Sequence, residues 1–250
     1  MSLVSSLKVG VRRASLRVGR LAARSTTTFA PRSTHAKFAD LLCAALGKEA
    51  SRLHPDIRAR FSASGAGRRS SFSGRMQQVD RSVFGWCVAL LLRPLRVLPS
   101  CRAYAVPFEF HLEPSPVPGG WVKRRMYGFR DGSFEFSSVM KLDDDGRLVE
   151  QFPLGFGMRV LLEATGDALW FRDDGYFFRW SGFRLDFPRW LGVGRFELVH
   201  RNIDSERFDV EIRIRHFLFG PLFYQSGRFG SGSPTGAAQA SAPTGALLVN

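Results

Sequence analysis

Residues 207–216, RFDVEIRIRH, alternate without a break: Phe208, Val210, Ile212 and Ile214 project to one side of an extended chain, and Asp209, Glu211, Arg213 and Arg215 to the other. From Tyr104 onward the same period of two recurs over 104–112, 121–127, 133–141, 147–152, 157–163, 168–172, 176–185, 194–201 and 221–229. Turn chemistry separates these runs: EPSPVPGG, RDG, DDDG, ATGD, RDDG and NIDSE. The gaps leave no room for crossover helices, so the strands pair antiparallel with their sequence neighbours. The expected fold class is mainly β with N-terminal α-helices (α+β), an antiparallel β-meander curled into a barrel or half-barrel. Periodicity alone does not decide whether its apolar faces enclose a packed core or a ligand cavity.

Upstream the period changes. FADLLCAALGKEASRLHPDIRARF places Phe38, Leu41, Leu42, Ala45, Leu46, Leu53, Ile57 and Phe61 at helical spacing, and Pro55 divides the stretch into two helices. SASGAGRRSS at 62–71 reads as a loop, and RSVFGWCVALLLRPLRVLP as a short apolar helix ending near Pro94 or Pro99. Such a helix is usually core, and otherwise a lid or a membrane-surface patch. Its charge-free run, Val83–Leu92, is too short to span a bilayer, so no transmembrane segment is expected, while peripheral membrane contact stays open. Cys43, Cys87 and Cys101 are odd in number and lack CxxC spacing, which suggests neither a disulfide framework nor a zinc site; buried free thiols are expected.

The net charge of +14 invites a nucleic-acid reading until its distribution is counted. The first 39 residues carry eight of the 36 Lys and Arg and none of the 22 acids, which leaves 28 bases against 22 acids and a net of +6 from Asp40 onward. YFFRWSGFRLDFPRW at 176–190 interleaves aromatics with arginines, but on this modest charge nucleic acid is not the favoured partner. The leader itself places Leu3, Leu7, Val11, Ala14, Val18 and Leu21 on one helical face and Arg13, Arg17, Arg20 and Arg24 on another, the profile of an organellar transit peptide. A mitochondrial address is expected, with a plastid, or the cytoplasm if the leader is retained, as alternatives. The expected organisation is a leader over 1–37, one β-rich domain over 38–229 and a low-complexity tail over 230–250.

LHPDIRARF, GRMQQVDRS before the apolar helix and its LP, GRLVEQFPLGF, LDFPRWLG, and RFDVEIRIRHFLFG with the later Gly227 follow one another in an order that resembles the DUF4166 family, a domain of unknown function. The resemblance covers about residues 38–229 and rests on turn and strand landmarks, none of them a catalytic signature. Near the last glycine the family tends to show Tyr and then Trp, where this chain has Gln225 and Arg228. In bacteria such domains are often joined to dehydrogenase-like nucleotide-binding domains, whereas this sequence has no strand-linked GxGxxG. The resemblance thus implies a fold without an assigned reaction and names no cofactor.

Polar residues on apolar faces are the informative ones in such a chain. Glu150 alternates with Leu148 and Phe152, Ser138 with Phe134, Phe136 and Met140, Arg124 with Val122 and Met126, and His216 with Ile212 and Ile214. Facing inward together they would form a polar cluster in an apolar chamber. There Glu150 would be the acid or base of an enzyme, with Arg124 and His216 as support. The plainer reading pairs Glu150 with Arg124 or another buried arginine and leaves Ser138 and His216 satisfying backbone groups. DDDG at 143–146 and DDG at 173–175 read as hairpin turns, since the chain lacks the full acid run and flanking helices of a calcium loop; no metal ligand set is assigned. The 23 Phe and the Trp residues give a meander much aromatic bulk to turn inward. The leading expectation is an apolar or lipid-like small molecule lined by Trp121, Phe178, Trp180, Trp190, Phe208 and Ile212. A third possibility is an assembly protein docking through the apolar helix 83–92.

Overall fold

The computed structural model describes residues 37–63, 69–188 and 192–230; the expected leader, the tail beyond 230 and Trp190 lie outside them. The described chain opens with α1 (Phe38–Leu46), a 3-10 turn and α2 (Pro55–Ser62). Pro55 sits in the first turn of α2, where its missing N–H costs no hydrogen bond, and His54 Nδ1 accepts the Asp56 amide at 3.2 Å to cap that turn. Strand β1 (Ser70–Arg81) follows, then α3 (Val83–Leu91) and a further 3-10 turn. The remaining strands are β2 (Ala103–Pro114), β3 (Trp121–Phe129), β4 (Gly132–Leu142), β5 (Leu148–Gln151), β6 (Phe156–Thr165), β7 (Ala168–Trp180), β8 (Phe183–Asp186), β9 (Arg195–Asn202), β10 (Arg207–His216) and β11 (Gly220–Gly230).

Every pairing is antiparallel. β1 pairs with both β2 and β11, and β6 pairs with β7, so the sheet closes into a ten-strand barrel with β8 as an extra strand on the end of β7. Closure removes the exposed edges that an open meander would carry. In this up-and-down order the chain entry, the β2–β3, β4–β5, β6–β7 and β9–β10 connections and the last strand end share the base, while α3 and the other connections share the opposite end, the mouth.

Three stretches depart from expectation. The run 176–185, expected as one strand, turns at Ser181–Gly182, so that its first half ends β7 and its second forms β8. β1 falls partly where a loop was expected, and its alternation is hidden: Phe72, Met76 and Val79 are buried, but a bulge between Met76 and Gln78 shifts the parity and Gly74 offers no side chain. RDDG at 172–175 is not a turn. β7 runs through it as one strand, with a bulge opposite Met158–Val160 that includes Gly175 at φ 103°.

The helices close the two ends differently. At the base, Phe38 of α1 and Phe61 of α2 meet edge-on at 5.4 Å, Phe38 packs on Trp121 at 5.7 Å, and Phe61 on Phe72 at 6.4 Å. These rings are buried and plug the barrel. At the mouth, α3 lies against β11 so closely that a Cβ on Gly85 would sit 1.8 Å from the Leu222 carbonyl oxygen. Ser82 fixes the helix start: its amide donates to Leu222 O at 3.1 Å and its Oγ accepts from Gly85 N at 3.0 Å. Only Gly85 and Ala89 of α3 are buried, whereas Phe84, Trp86, Leu90 and Leu91 are exposed, so α3 is not a core helix. No described helix is long and apolar enough to cross a membrane. The three cysteines are unpaired; Cys87 on α3 is exposed and the others half-buried, in place of the burial expected of all three.

Candidate ligand-binding site

Strand parity sets the inner wall. On β3 the inward residues are Trp121, Lys123, Arg125 and Tyr127; Ser138 of β4 lies opposite Lys123, and Glu150 of β5 lies opposite Met140. Their side chains converge. Glu150 Oε2 accepts from Lys123 Nζ at 2.6 Å, and Glu150 Oε1 accepts from Arg125 Nη2 at 3.1 Å and from the Ser138 hydroxyl at 2.5 Å. Arg125 Nη1 also donates to Ser138 Oγ at 3.1 Å, and the guanidinium lies 4.8 Å from the Phe136 ring centre. Alongside, the Tyr127 hydroxyl donates to Gln225 Oε1 at 3.0 Å. Lys123, Ser138, Glu150 and Gln225 are all buried.

Burial alone would raise the Glu150 pKa, but Lys123 and then Arg125 outweigh it and hold the carboxyl down at about 2. Desolvation, opposed by Glu150 and helped by Arg125, lowers Lys123 to about 8. Glu150 is therefore a fixed anion between two cations. At so low a pKa it is a weak base, and the proton of Ser138 is already directed at it.

Two cavities meet at this polar layer, both touching Arg125, Glu150, Gln225, Phe196, Leu198 and Ile212. The smaller, about 80 Å³, lies on the base side under Phe38, Phe61, Phe72, Phe208 and His200. The larger, about 540 Å³, runs to the mouth between Phe136, Phe152, Phe156, Met158, Tyr176 and Ile214 on the strands and Val88, Leu91 and Leu92 of α3.

The residues singled out in the sequence are distributed unevenly around these spaces. Glu150 and Ser138 form the polar layer, and Ile212 lines both cavities. Arg124 does not face inward: it lies on the outer face, bonded to Glu135 at 3.0 Å and to Glu113 at 3.4 Å. His216 borders the large cavity at the mouth end, where its Nδ1 accepts the Leu218 amide at 3.2 Å. It stands four residues, about 13 Å of strand, beyond Ile212 and makes no bond to Glu150. Phe208 borders only the small cavity, and Trp121 is buried beneath Phe38 rather than in the large one. Phe178 lies 5.0 Å behind Phe156 and lines neither cavity, and Trp180 is 72% exposed. Lys123, Arg125 and Gln225 were not anticipated. In WVKRRMY both faces mix apolar and basic residues, and the bulk of Trp121 and Tyr127 is the signal that favours the odd-numbered face.

A second buried polar group ties the base plug to the wall. Arg60 of α2 donates to His200 Nε2 at 2.9 Å, to Asn202 Oδ1 at 3.0 Å and to the Asp204 carbonyl at 2.9 Å, and its guanidinium lies 4.6 Å from the Phe208 ring centre. Nε2 of His200 is thus an acceptor and the ring is neutral. Burial, reinforced by Arg60, pushes its pKa down to about 3.

The model of the DUF4166 family, a domain of unknown function, matches residues 53–229, from the end of the first 3-10 turn to the last strand. The chain belongs to the DUF4166 family. The matched DUF4166 region includes every barrel strand and the whole polar layer, while α1 precedes it. No curated protein matches the chain.

Proposed function

We propose that this barrel binds an apolar, lipid-like small molecule in its lumen. The large cavity carries the reading: at about 540 Å³ it falls within the range of roughly 300–1,000 Å³ usual for small-molecule sites. Its walls are aromatic and aliphatic, with a few polar groups gathered at the inner end. Proteins pack their interiors densely, so a void of this size is consistent with space reserved for a ligand. The enzyme reading finds less support: Glu150 is a locked anion, Arg124 lies outside and His216 stands at the mouth. Titration of the full chain with the neutral probe N-phenyl-1-naphthylamine tests the proposal. Saturable, blue-shifted emission that weakens in Ile212→Trp, a variant that fills the lumen, is the expected result. Fluorescence that rises linearly without saturation would remove the reading.

The mouth supports a complementary reading, that the ligand is exchanged at an anionic lipid bilayer. Phe84 and Leu91 of α3 and Phe217, Leu218 and Phe219 of the β10–β11 turn are exposed beside the cavity, with Phe84 stacked on Phe219 at 4.7 Å. The tip of the β7–β8 hairpin, Trp180 and Phe183, leaves the barrel at the same end. Exposed Arg93, Arg96 and Arg215 flank this rim, and residues 82–102 contain no acid, so the rim is charge-complementary to anionic headgroups. Co-sedimentation with vesicles containing phosphatidylserine, weak with pure phosphatidylcholine and reduced by Phe84→Ser with Leu218→Ser, is expected. Equal sedimentation of that double variant and the parent chain would count against the rim. The basic leader supports placing this activity in the mitochondrion.

A further inference from the structure

The charge at the inner end of the large cavity points to the head group of the ligand, an inference that rests on the lumen-binding reading above. Lys123 and Arg125 both bond to Glu150, and among the described residues no second carboxylate pairs with either. Two cations against one anion leave one positive charge in excess in an apolar enclosure, and buried charge is costly until it is paired. Unused donors belong to two residues that line the cavity at this layer. Of the five guanidinium N–H groups, Arg125 commits one to Ser138 and one to Glu150; the others have no acceptor among the described residues. Gln225, only 1% exposed, accepts from Tyr127 through Oε1, and its amide NH2 has no acceptor there either although the residue borders both cavities.

We propose that Arg125 and Gln225 form an oxyanion seat, and that the ligand is a monocarboxylic acid whose head group sits on this seat while its apolar tail runs toward α3. One carboxylate matches the single excess charge, whereas a doubly charged phosphate would overshoot it. A planar guanidinium suits a carboxylate held through two parallel N–H donors. The walls beyond the seat, Phe136, Phe156, Met158 and Ile214, are apolar; Tyr176 lines them too but commits its hydroxyl to the Gly194 carbonyl at 2.9 Å, and His216 stands only at the mouth.

Displacement of N-phenyl-1-naphthylamine from the full chain by dodecanoic acid and by its methyl ester separates the seat from the cavity. The two competitors share a tail and differ in the charge of the head. The acid is expected to displace the probe at about tenfold lower concentration than the ester, a difference typical of one charge-assisted contact. Arg125→Met, which leaves Glu150 balanced by Lys123 alone, should bring acid and ester within about threefold of each other, as should Gln225→Leu to a smaller degree. The second variant carries the test if circular dichroism shows that the first does not fold. Equal displacement by acid and ester, or a probe that the acid fails to displace, overturns the seat while leaving the cavity reading intact. Absence of saturable probe binding removes both.

Discussion

His200 couples stability to pH in a direction that its contacts dictate. Its ring accepts from Arg60 and so must stay neutral in the fold, with a pKa pushed from about 6.5 to about 3 by burial and then by Arg60. The unfolded chain therefore takes up a proton near pH 6.5 that the folded chain refuses until near pH 3, and stability falls as the solution is acidified through that window. The slope is about 1.4 kcal/mol per pH unit for one proton. Glu150 adds loss of the same sign at lower pH, because a carboxylate held at about 2 stabilises the fold above its ordinary value near 4.5 and ceases to do so as pH falls toward 2. Urea unfolding of the full chain between pH 6.5 and 4.5 should lose stability steeply, and His200→Gln should reduce that slope by about one proton's worth. An unchanged slope in the variant would mean that His200 is charged in the fold. At this scale the sequence was partly readable. Glu150 stood out because it interrupts an apolar face, and a paired, buried role was foreseeable. Its partners were not, because KRR at 123–125 offers a base on either parity and only the closed barrel decides which two point inward.

Elements were legible where one period held and obscure where a bulge broke it. β10 runs over Arg207–His216 as its alternation requires, and β2, β3, β4, β6, β9 and β11 fall within two residues of the expected limits at each end. In β1 the extra residue near Gln78 moves Val79 onto the face of Met76, so a reader of alternation loses the strand halfway. In β7 the dipeptide Asp173–Asp174 before Gly175 has turn chemistry, yet Asp173 Oδ1 accepts the Phe196 amide at 2.6 Å and so ties the bulge to the neighbouring strand β9. α3 shows a different limit. Its composition says core, but the glycine that lets it approach Leu222 places the small residues inward and the large apolar ones outward. That orientation gives the mouth its apolar rim. It also explains why the helix can both border the cavity and face what lies outside it.

For the whole molecule, the antiparallel meander was foreseeable from the absence of crossover room, and closure was the part left open between barrel and half-barrel. Closure depends on β1, the strand that was missed, because β1 supplies both the β2 and β11 pairings. Ten strands are more than the roughly eight whose interior side chains just fill a barrel, so a lumen follows unless something plugs it. Here the rings of α1 and α2 plug the base, the layer of Lys123, Arg125, Ser138 and Glu150 crosses the middle, and the mouth half stays hollow. The aromatic bulk that drew notice to Trp121, Phe178 and Trp180 is spent on the plug and the outer rim, and the cavity walls come instead from Phe136, Phe152, Phe156 and Tyr176, beside Ile212, which was expected there. The central claim is that this hollow holds a ligand. Native mass spectra of the full chain purified from cells, set beside denaturing spectra of the same sample, test it most directly. The account predicts a native mass above that of the polypeptide, an excess lost on denaturation and matching a carboxylic acid with an apolar tail; a bare polypeptide mass in both spectra would contradict it.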